Sequence, residues 1–131
     1  MAHLMCIFPG QGSQYRGIGK DLYENYESAR NIYYQASEIL GYDLVELSFS
    51  DQKGQISLTR YTQPVLFTHQ TVCFTIFNEL TENKHAPDLL AGHSLGEYTA
   101  LVAAGSISFE DGLELVRKRG ELMSNFGSGS M

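Results

Sequence analysis

The chain has 131 residues, of which 43% are hydrophobic, and this is enough for one ordinary domain with a buried core. Its formal net charge of −6 is spread along the sequence without a basic stripe, which argues against nucleic-acid binding. No apolar run approaches the roughly 20 residues of a membrane span, and the start is too short for a secretory leader. The sequence therefore predicts a cytoplasmic protein with no membrane or nucleic-acid partner, and the spacing of its cysteines predicts no metal site.

The first predicted element is a buried strand at the apolar run Leu4–Phe8, which stops at Pro9. The loop that follows is rich in glycine and reads Gly10-Gln11-Gly12-Ser13-Gln14. Ser28–Leu40 then has apolar residues at helical spacing, and Gly41 stands where a helix C-cap is expected. This part of the chain predicts a strand, a loop and a surface helix.

The middle of the chain predicts two more helices. The first is short and covers Leu44–Phe49. The second begins at Thr62, has Pro64 just inside its start, and continues through a mostly apolar stretch to Leu80. Because this stretch is apolar on most of its faces, the second helix is expected to be largely buried.

A second strand is predicted at Asp88–Gly92, followed by a helix that ends near Gly105. Ser108, with Asp111 three residues later, resembles an N-terminal cap for a last helix that reaches about Phe126. Two strands, each leading through a loop into a helix, indicate a parallel α/β sheet. Since two strands make a small sheet for this number of helices, further strands are expected outside this sequence.

One segment fits the Gly-x-Ser-x-Gly pattern of a nucleophile elbow: Gly92-His93-Ser94-Leu95-Gly96. A serine on a sharp strand-to-helix turn points its hydroxyl outward, and glycines on both sides remove Cβ atoms that would collide. The amide of Leu95 then lies at a helix N-terminus, where it can face an oxyanion. A packed turn without catalytic function remains the alternative, because so short a pattern also arises by chance.

Three further blocks accompany the elbow in a fixed order, namely Phe8-Pro9-Gly10-Gln11-Gly12-Ser13-Gln14, Tyr61-Thr62-Gln63-Pro64 and Arg119-Gly120. With the extension of the elbow to Glu97-Tyr98, these blocks closely resemble malonyl-CoA:acyl carrier protein transacylases. That family includes fatty acid synthesis enzymes, acyltransferase domains of polyketide synthases and stand-alone polyketide acyltransferases. The resemblance implies an α/β fold, the N-terminal part of an α/β-hydrolase-like acyltransferase domain with a parallel sheet.

The resemblance also implies roles for individual residues. Ser94 matches the serine that takes the acyl group from CoA and passes it to the phosphopantetheine thiol of an acyl carrier protein. Gln11 and Leu95 match the positions whose backbone N–H groups form the oxyanion hole. Arg119 matches the arginine that holds the free carboxylate of a malonyl group, for which a guanidinium fork is well suited. Malonyl-CoA is thus the expected substrate, no cofactor is expected to be bound, and the choice between malonyl and methylmalonyl stays open.

Each of these assignments has a simpler alternative. Arg119 follows two other cations near the end of a predicted helix, where it could be a solvated charge that favours the helix dipole. Gln11 could be only a turn residue, and Gln63 only a helix-start residue. Gln63 and His93 are therefore retained as possible pocket residues, and His93 is not assigned as the general base because an elbow points it away from the serine.

The sequence departs from the family in one respect, which is the missing general base. A serine nucleophile needs such a base, and in this family a histidine from the C-terminal half supplies it. The ending Gly127-Ser128-Gly129-Ser130-Met131 resembles the family's loop into a small ferredoxin-like subdomain, which is absent here. Residues 1–131 are thus interpreted as the N-terminal portion of a single acyltransferase domain. Alone, this portion is expected to be nearly inactive and to associate with a complementing C-terminal half or a synthase.

Two other functions remain open at this stage. An acyl hydrolase of the same fold would use the same elbow but transfer the acyl group to water. A non-catalytic module would instead use the family's surface to bind a carrier protein or a synthase. The sequence does not decide between fatty acid and polyketide synthesis.

Overall fold

The computed structural model describes residues 2–126, so the loop predicted after Phe126 lies outside the described residues. The elements in chain order are β1 (Met5–Phe8), α1 (Lys20–Asn25), α2 (Glu27–Leu40), α3 (Leu44–Phe49), α4 (Thr59–Leu80), β2 (Leu89–Gly92), α5 (Gly96–Ala103) and α6 (Phe109–Phe126). Both predicted strands and all predicted helices are present. The sequence analysis missed α1, a six-residue helix that starts after Gly19 without a side-chain cap and buries none of its residues.

The two strands lie side by side and parallel, which confirms the predicted α/β class with a parallel sheet. Met5 pairs with Leu89 and Phe8 with Gly92. Phe8 is buried and meets Phe74 of α4 edge to face, with ring centroids 6.1 Å apart. One face of the sheet is therefore packed on α4, and the carboxyl ends of both strands meet at the same edge.

The other face of the sheet is apolar and uncovered in the described part of the chain. Met5, Ile7 and Leu89 are 47%, 66% and 56% exposed. Parallel sheets are normally buried on both faces, because the helices that connect parallel strands pack there. An exposed apolar face is therefore unusual for a parallel sheet. We call this surface the open sheet face.

Helix α4 is the centre of the structure and packs against α2, α5 and α6. The sequence predicted a largely buried helix, and half of its 22 residues are buried. Its predicted start was wrong by three residues, because the helix begins at Thr59 rather than Thr62. The Thr62 hydroxyl acts inside the first turns, where it donates to the carbonyls of Ile56 at 2.5 Å and Leu58 at 3.0 Å. A threonine followed two positions later by a proline resembles a helix start in sequence. Here, however, Thr62 lies within the first turn of α4, and its hydroxyl bonds to carbonyls of residues that precede the helix.

The helix ends follow the local chemistry that the sequence predicted. Gly41 closes α2 in the left-handed conformation, with φ at 78°. The Ser108 hydroxyl accepts from the backbone N–H of Asp111 at 3.0 Å and so caps α6.

None of the helices among residues 2–126 combines the length and apolar character that crossing a bilayer requires.

Candidate active site

The segment between β2 and α5 has the geometry of a nucleophile elbow. Ser94 has a φ of 54°, a conformation that residues with a side chain adopt rarely and that indicates a constrained turn. The turn is closed by two backbone hydrogen bonds, from Gly96 N–H to the His93 carbonyl at 2.9 Å and from Glu97 N–H to the Ser94 carbonyl at 3.1 Å. Ser94 therefore stands between the carboxyl end of a strand and the start of a helix.

The two glycines of the elbow are required because three backbone segments meet there. A Cβ atom on Gly92 would lie 2.1 Å from the carbonyl carbon of Gly96. A Cβ atom on Gly96 would lie 2.0 Å from the carbonyl oxygen of Phe8. Neither contact can be relieved by rotating a side chain, since backbone atoms form it. The elbow is thus fixed by the close approach of β1, β2 and α5.

Replacing Gly96 with alanine is expected to destabilise the fold by about 3 kcal/mol or more, because the backbone of β1 would have to move. Gly54→Ala is the matched control. An added Cβ there meets nothing within 4 Å, and only the left-handed φ of 65° is strained. That control should cost about 1–2 kcal/mol. Urea unfolding of both variants checks the difference, and equal losses would contradict the steric explanation.

The loop after β1 packs directly on the elbow. A Cβ atom on Gly10 would lie 2.8 Å from the His93 carbonyl oxygen and 3.4 Å from the Ser94 Cβ, so glycine is needed for this approach. The side-chain amide of Gln11 donates to the Thr59 hydroxyl at 3.0 Å and ties the loop to the start of α4. The structure thus brings the glycine-rich loop and the serine together, although more than 80 residues separate them in sequence.

Near Ser94, neither the backbone N–H of Gln11 nor that of Leu95 has a hydrogen-bond acceptor within residues 2–126. The Leu95 amide lies at the N-terminal end of α5, where helix N–H groups lack intrahelical partners. The Gln11 amide lies in the loop that packs on the elbow. Unpaired donors beside a nucleophile are what an oxyanion hole requires.

Arg119 reaches the serine from α6. One guanidinium nitrogen donates to the Ser94 Oγ at 3.0 Å, and another donates to the Gln63 Oε1 at 2.9 Å. The guanidinium carbon lies 5.5 Å from the centre of the Tyr98 ring, a cation–π distance. None of the salt bridges among the described residues involves Arg119, so no carboxylate neutralises its charge there.

This position excludes the simpler interpretation of Arg119 as a solvated charge at a helix end. Helix α6 continues for seven residues beyond it, to Phe126, and its last turn contains no basic residue. The neighbouring Arg117 has the conventional surface role, because it pairs with Glu114 and donates to the Ile39 carbonyl at 3.3 Å. Arg119 instead points into the site, and the fully buried Gln63 holds it there.

No histidine among the described residues is hydrogen-bonded to the Ser94 hydroxyl. His93 is exposed, and its ring lies beside Gly10, 2.9 Å from where a Cβ would stand. His69 lies 3.4 Å from the Cys73 sulfur, and burial lowers the pKa of its imidazole below the usual value. His3 and His85 precede β1 and β2, whereas Ser94 follows β2.

Within residues 2–126, no three His, Cys, Asp or Glu side chains could jointly bind a metal ion.

The sequence analysis missed two residues close to the site, Gln70 and Thr99. Gln70 lies seven residues after Gln63 on α4 and is likewise buried. Gln70 donates to the Pro9 carbonyl of the loop and accepts from the Thr99 hydroxyl on α5. A polar amide on an otherwise apolar helix face was the available signal, because such a group must find partners in the core.

A family model described as "Acyl transferase domain" matches residues 5–131. A malonyl CoA-acyl carrier protein transacylase of Staphylococcus aureus (strain MRSA252) is 43% identical over 134 residues, a match that covers 100% of this chain and 42% of that protein. The chain belongs to the acyl transferase domain family. Within it, the chain resembles the N-terminal part of malonyl CoA-acyl carrier protein transacylases and spans about two fifths of their length.

Solved structures give the same result. The malonyl CoA-acyl carrier protein transacylase of Clostridium perfringens Atcc 13124 superposes with a TM-score of 0.86 at 42% identity, covering 93% of this chain and 38% of that one. A malonyl-transacylase solved in complex with a type II PKS acyl-carrier protein has a TM-score of 0.88 at 39% identity, covering 95% and 40% of the two chains. The α/β architecture described above is therefore that of the N-terminal part of these transacylases.

Proposed function

We propose that Ser94 is the nucleophile of a malonyl transfer from malonyl-CoA to the phosphopantetheine thiol of an acyl carrier protein. The observation that carries the proposal is the guanidinium of Arg119, 3.0 Å from the Ser94 Oγ and without a carboxylate partner among the described residues. A partly buried cation beside a nucleophile favours a substrate that brings its own negative charge. The family and its transacylase relatives support the same reaction.

The short distance between Arg119 and Ser94 suits a small dicarboxylic acyl group. In a malonyl ester on Ser94, the free carboxylate carbon would lie roughly 4 Å from the Oγ by ordinary bond lengths. The guanidinium is close enough to receive this carboxylate in two parallel hydrogen bonds after a small rotation. A plain acyl chain would leave the charge unpaired, and this disfavours monocarboxylic substrates.

The proposed chemistry has two balanced steps. The Ser94 Oγ attacks the thioester carbonyl while its proton passes to a general base, and the C–S bond breaks to release CoA, whose sulfur takes that proton from the base. The carrier-protein thiol then gives its proton to the base and attacks the serine ester, the ester C–O bond breaks, and the Ser94 oxygen takes the proton back from the base. In both steps, negative charge develops on the carbonyl oxygen, and the free N–H groups of Gln11 and Leu95 would stabilise it. Malonyl-CoA is a substrate of the proposed reaction, and the reaction needs no bound cofactor.

Gln63 and His93 have different proposed roles. Gln63 orients Arg119, because its Oε1 accepts from the guanidinium while its Nε2 donates to the Met123 sulfur at 3.1 Å. That arrangement fixes the guanidinium without neutralising it. His93 lies exposed on the elbow beside Gly10, so it is proposed as a residue of the site's rim rather than as a base.

The general base is proposed to come from outside residues 2–126, since no histidine described there bonds to Ser94. We infer that residues 1–131 form the N-terminal portion of one acyltransferase domain, which would be nearly inactive alone. The open sheet face of Met5, Ile7 and Leu89 is where a complementing C-terminal half would pack. The match to only two fifths of the transacylase relatives supports this inference. The cytoplasmic location stays a prediction from the sequence.

Carrier-protein acylation tests the proposal and separates it from the alternatives. The polypeptide that carries this sequence, at the length that its natural gene encodes, is called the natural-length polypeptide. It is incubated with malonyl-CoA, with and without acidic holo carrier protein. Malonyl-carrier protein and free malonate are then measured by mass spectrometry. A transferase should deliver most of the malonyl group to the carrier protein. Predominant release of free malonate would indicate a hydrolase, and carrier-protein binding without turnover would indicate a non-catalytic module.

A further inference from the structure

The buried side chain of Gln70 connects two parts of the site through hydrogen bonds. It lies on α4, is only 5% exposed, and its Nε2 donates to the Pro9 carbonyl at 2.6 Å. Its Oε1 accepts from the hydroxyl of Thr99 on α5 at 2.6 Å, and Thr99 is 1% exposed. Because a proline carbonyl can only accept, the amide nitrogen must face Pro9 and the amide oxygen must face Thr99. The orientation of the Gln70 amide is therefore determined by its partners.

The two partners belong to the two segments that supply the free N–H groups. Pro9 precedes Gln11 by two residues in the loop, and its carbonyl faces the elbow, where a Cβ on Gly96 would lie 3.0 Å away. Thr99 lies one helical turn after Leu95 on α5. One buried amide thus holds the loop and the elbow helix at a fixed separation.

This contact is independent of the bond that Arg119 makes with Ser94. Gln70 is bonded to neither of these residues in the described structure, and it lies two helical turns from Gln63 on α4. Removing its amide would leave the Pro9 carbonyl and the Thr99 hydroxyl unpaired in the interior. The loop could then shift relative to the elbow while the serine and arginine stay in place.

We propose that Gln70 is a positioning residue that sets the distance between the Gln11 and Leu95 amides, the two halves of the proposed oxyanion hole. The inference rests on the proposed function, since it gives these amides a purpose. Oxyanion stabilisation depends on donor placement within a fraction of an ångström. Loss of the Gln70 contacts should therefore lower turnover more than substrate binding.

The test compares three variants of the natural-length polypeptide. Gln70→Leu removes both contacts at similar volume, and Thr99→Val removes only the contact to α5. Thr71→Val is the matched control, because Thr71 is buried next to Gln70 but donates only to the Phe67 carbonyl of its own helix, at 2.9 Å. Two properties are measured: kcat and KM for malonyl transfer, and hydrogen exchange of the His93 amide, whose N–H donates to the Phe8 carbonyl at 3.0 Å where the loop meets the elbow.

We expect Gln70→Leu to lower kcat roughly tenfold to a hundredfold with KM changed by less than about twofold. Exchange of the His93 amide should become faster, because the loop and the elbow are held together less firmly. Thr99→Val should show smaller changes in the same direction, and it decides the matter by the same two measurements if Gln70→Leu does not fold. Unchanged kcat and exchange in the folded variants, or an equal loss of kcat in Thr71→Val, overturns the proposal.

If the proposed function itself is wrong, the same experiment gives a different result. In that case the unmodified polypeptide itself transfers no malonyl group, and hydrogen exchange alone decides the role of Gln70. Faster exchange of the His93 amide in Gln70→Leu would then retain Gln70 as the residue that positions the loop, whereas unchanged exchange would overturn that role as well.

Discussion

Replacing Ser94 with alanine is expected to abolish covalent malonylation of the protein and to lower malonyl transfer by roughly 10⁴-fold or more. The reason is that the reaction proceeds through a serine ester, and no other hydroxyl occupies the turn between β2 and α5. Intact-mass spectrometry after addition of malonyl-CoA checks this directly. One malonyl group should appear on the unmodified polypeptide and none on Ser94→Ala.

Ser106→Ala is the matched control for this experiment. Ser106 is exposed in the turn that follows α5, so its removal should leave both the adduct and the transfer rate unchanged. A malonyl adduct that persists in Ser94→Ala would show that another residue is the nucleophile. If the polypeptide proves to be this chain alone, the adduct should form very slowly, because the described residues supply no base for Ser94.

Replacing Arg119 with leucine is expected to lower kcat/KM for malonyl-CoA by roughly a hundredfold to ten-thousandfold. This corresponds to the loss of two charge-assisted hydrogen bonds to the malonyl carboxylate, about 3–6 kcal/mol. Acetyl-CoA has no such carboxylate, so its kcat/KM should fall little or rise. The preference for malonyl over acetyl is thus expected to collapse, and parallel assays with both thioesters measure this ratio.

Two further variants refine the prediction for Arg119. Arg119→Lys keeps the charge but loses the planar fork that reaches both Gln63 and Ser94, so an intermediate loss is expected. Lys118→Met removes the exposed neighbouring charge and should change neither substrate by more than about twofold. Equal losses for malonyl-CoA and acetyl-CoA in Arg119→Leu would contradict a carboxylate-binding role and indicate a structural one.

Much of the local structure could be predicted because its causes are local. The boundaries of α3, the left-handed Gly41 after α2 and the Ser108 cap of α6 all follow from residues a few positions apart. The error at the start of α4 was also local. Thr62 and Pro64 mimic a helix start, but the helix begins at Thr59, where the Leu58 carbonyl accepts from the backbone N–H groups of Tyr61 and Thr62.

The sequence by itself determined the elbow and the family. Glycines around Ser94 allow one strained turn, and the order of four motif blocks resembles one group of acyltransferases. The resemblance also predicted Arg119 and Gln11 at the site, but only the tertiary structure decided which distant residues hold the arginine and the loop in place. Arg119 and Gln63 are 56 positions apart, and Gln70 and Pro9 are 61 apart. Periodicity shows which face of a helix is buried, but the partner of that face depends on how α4 packs against α6 and the sheet, and no local interaction specifies that packing.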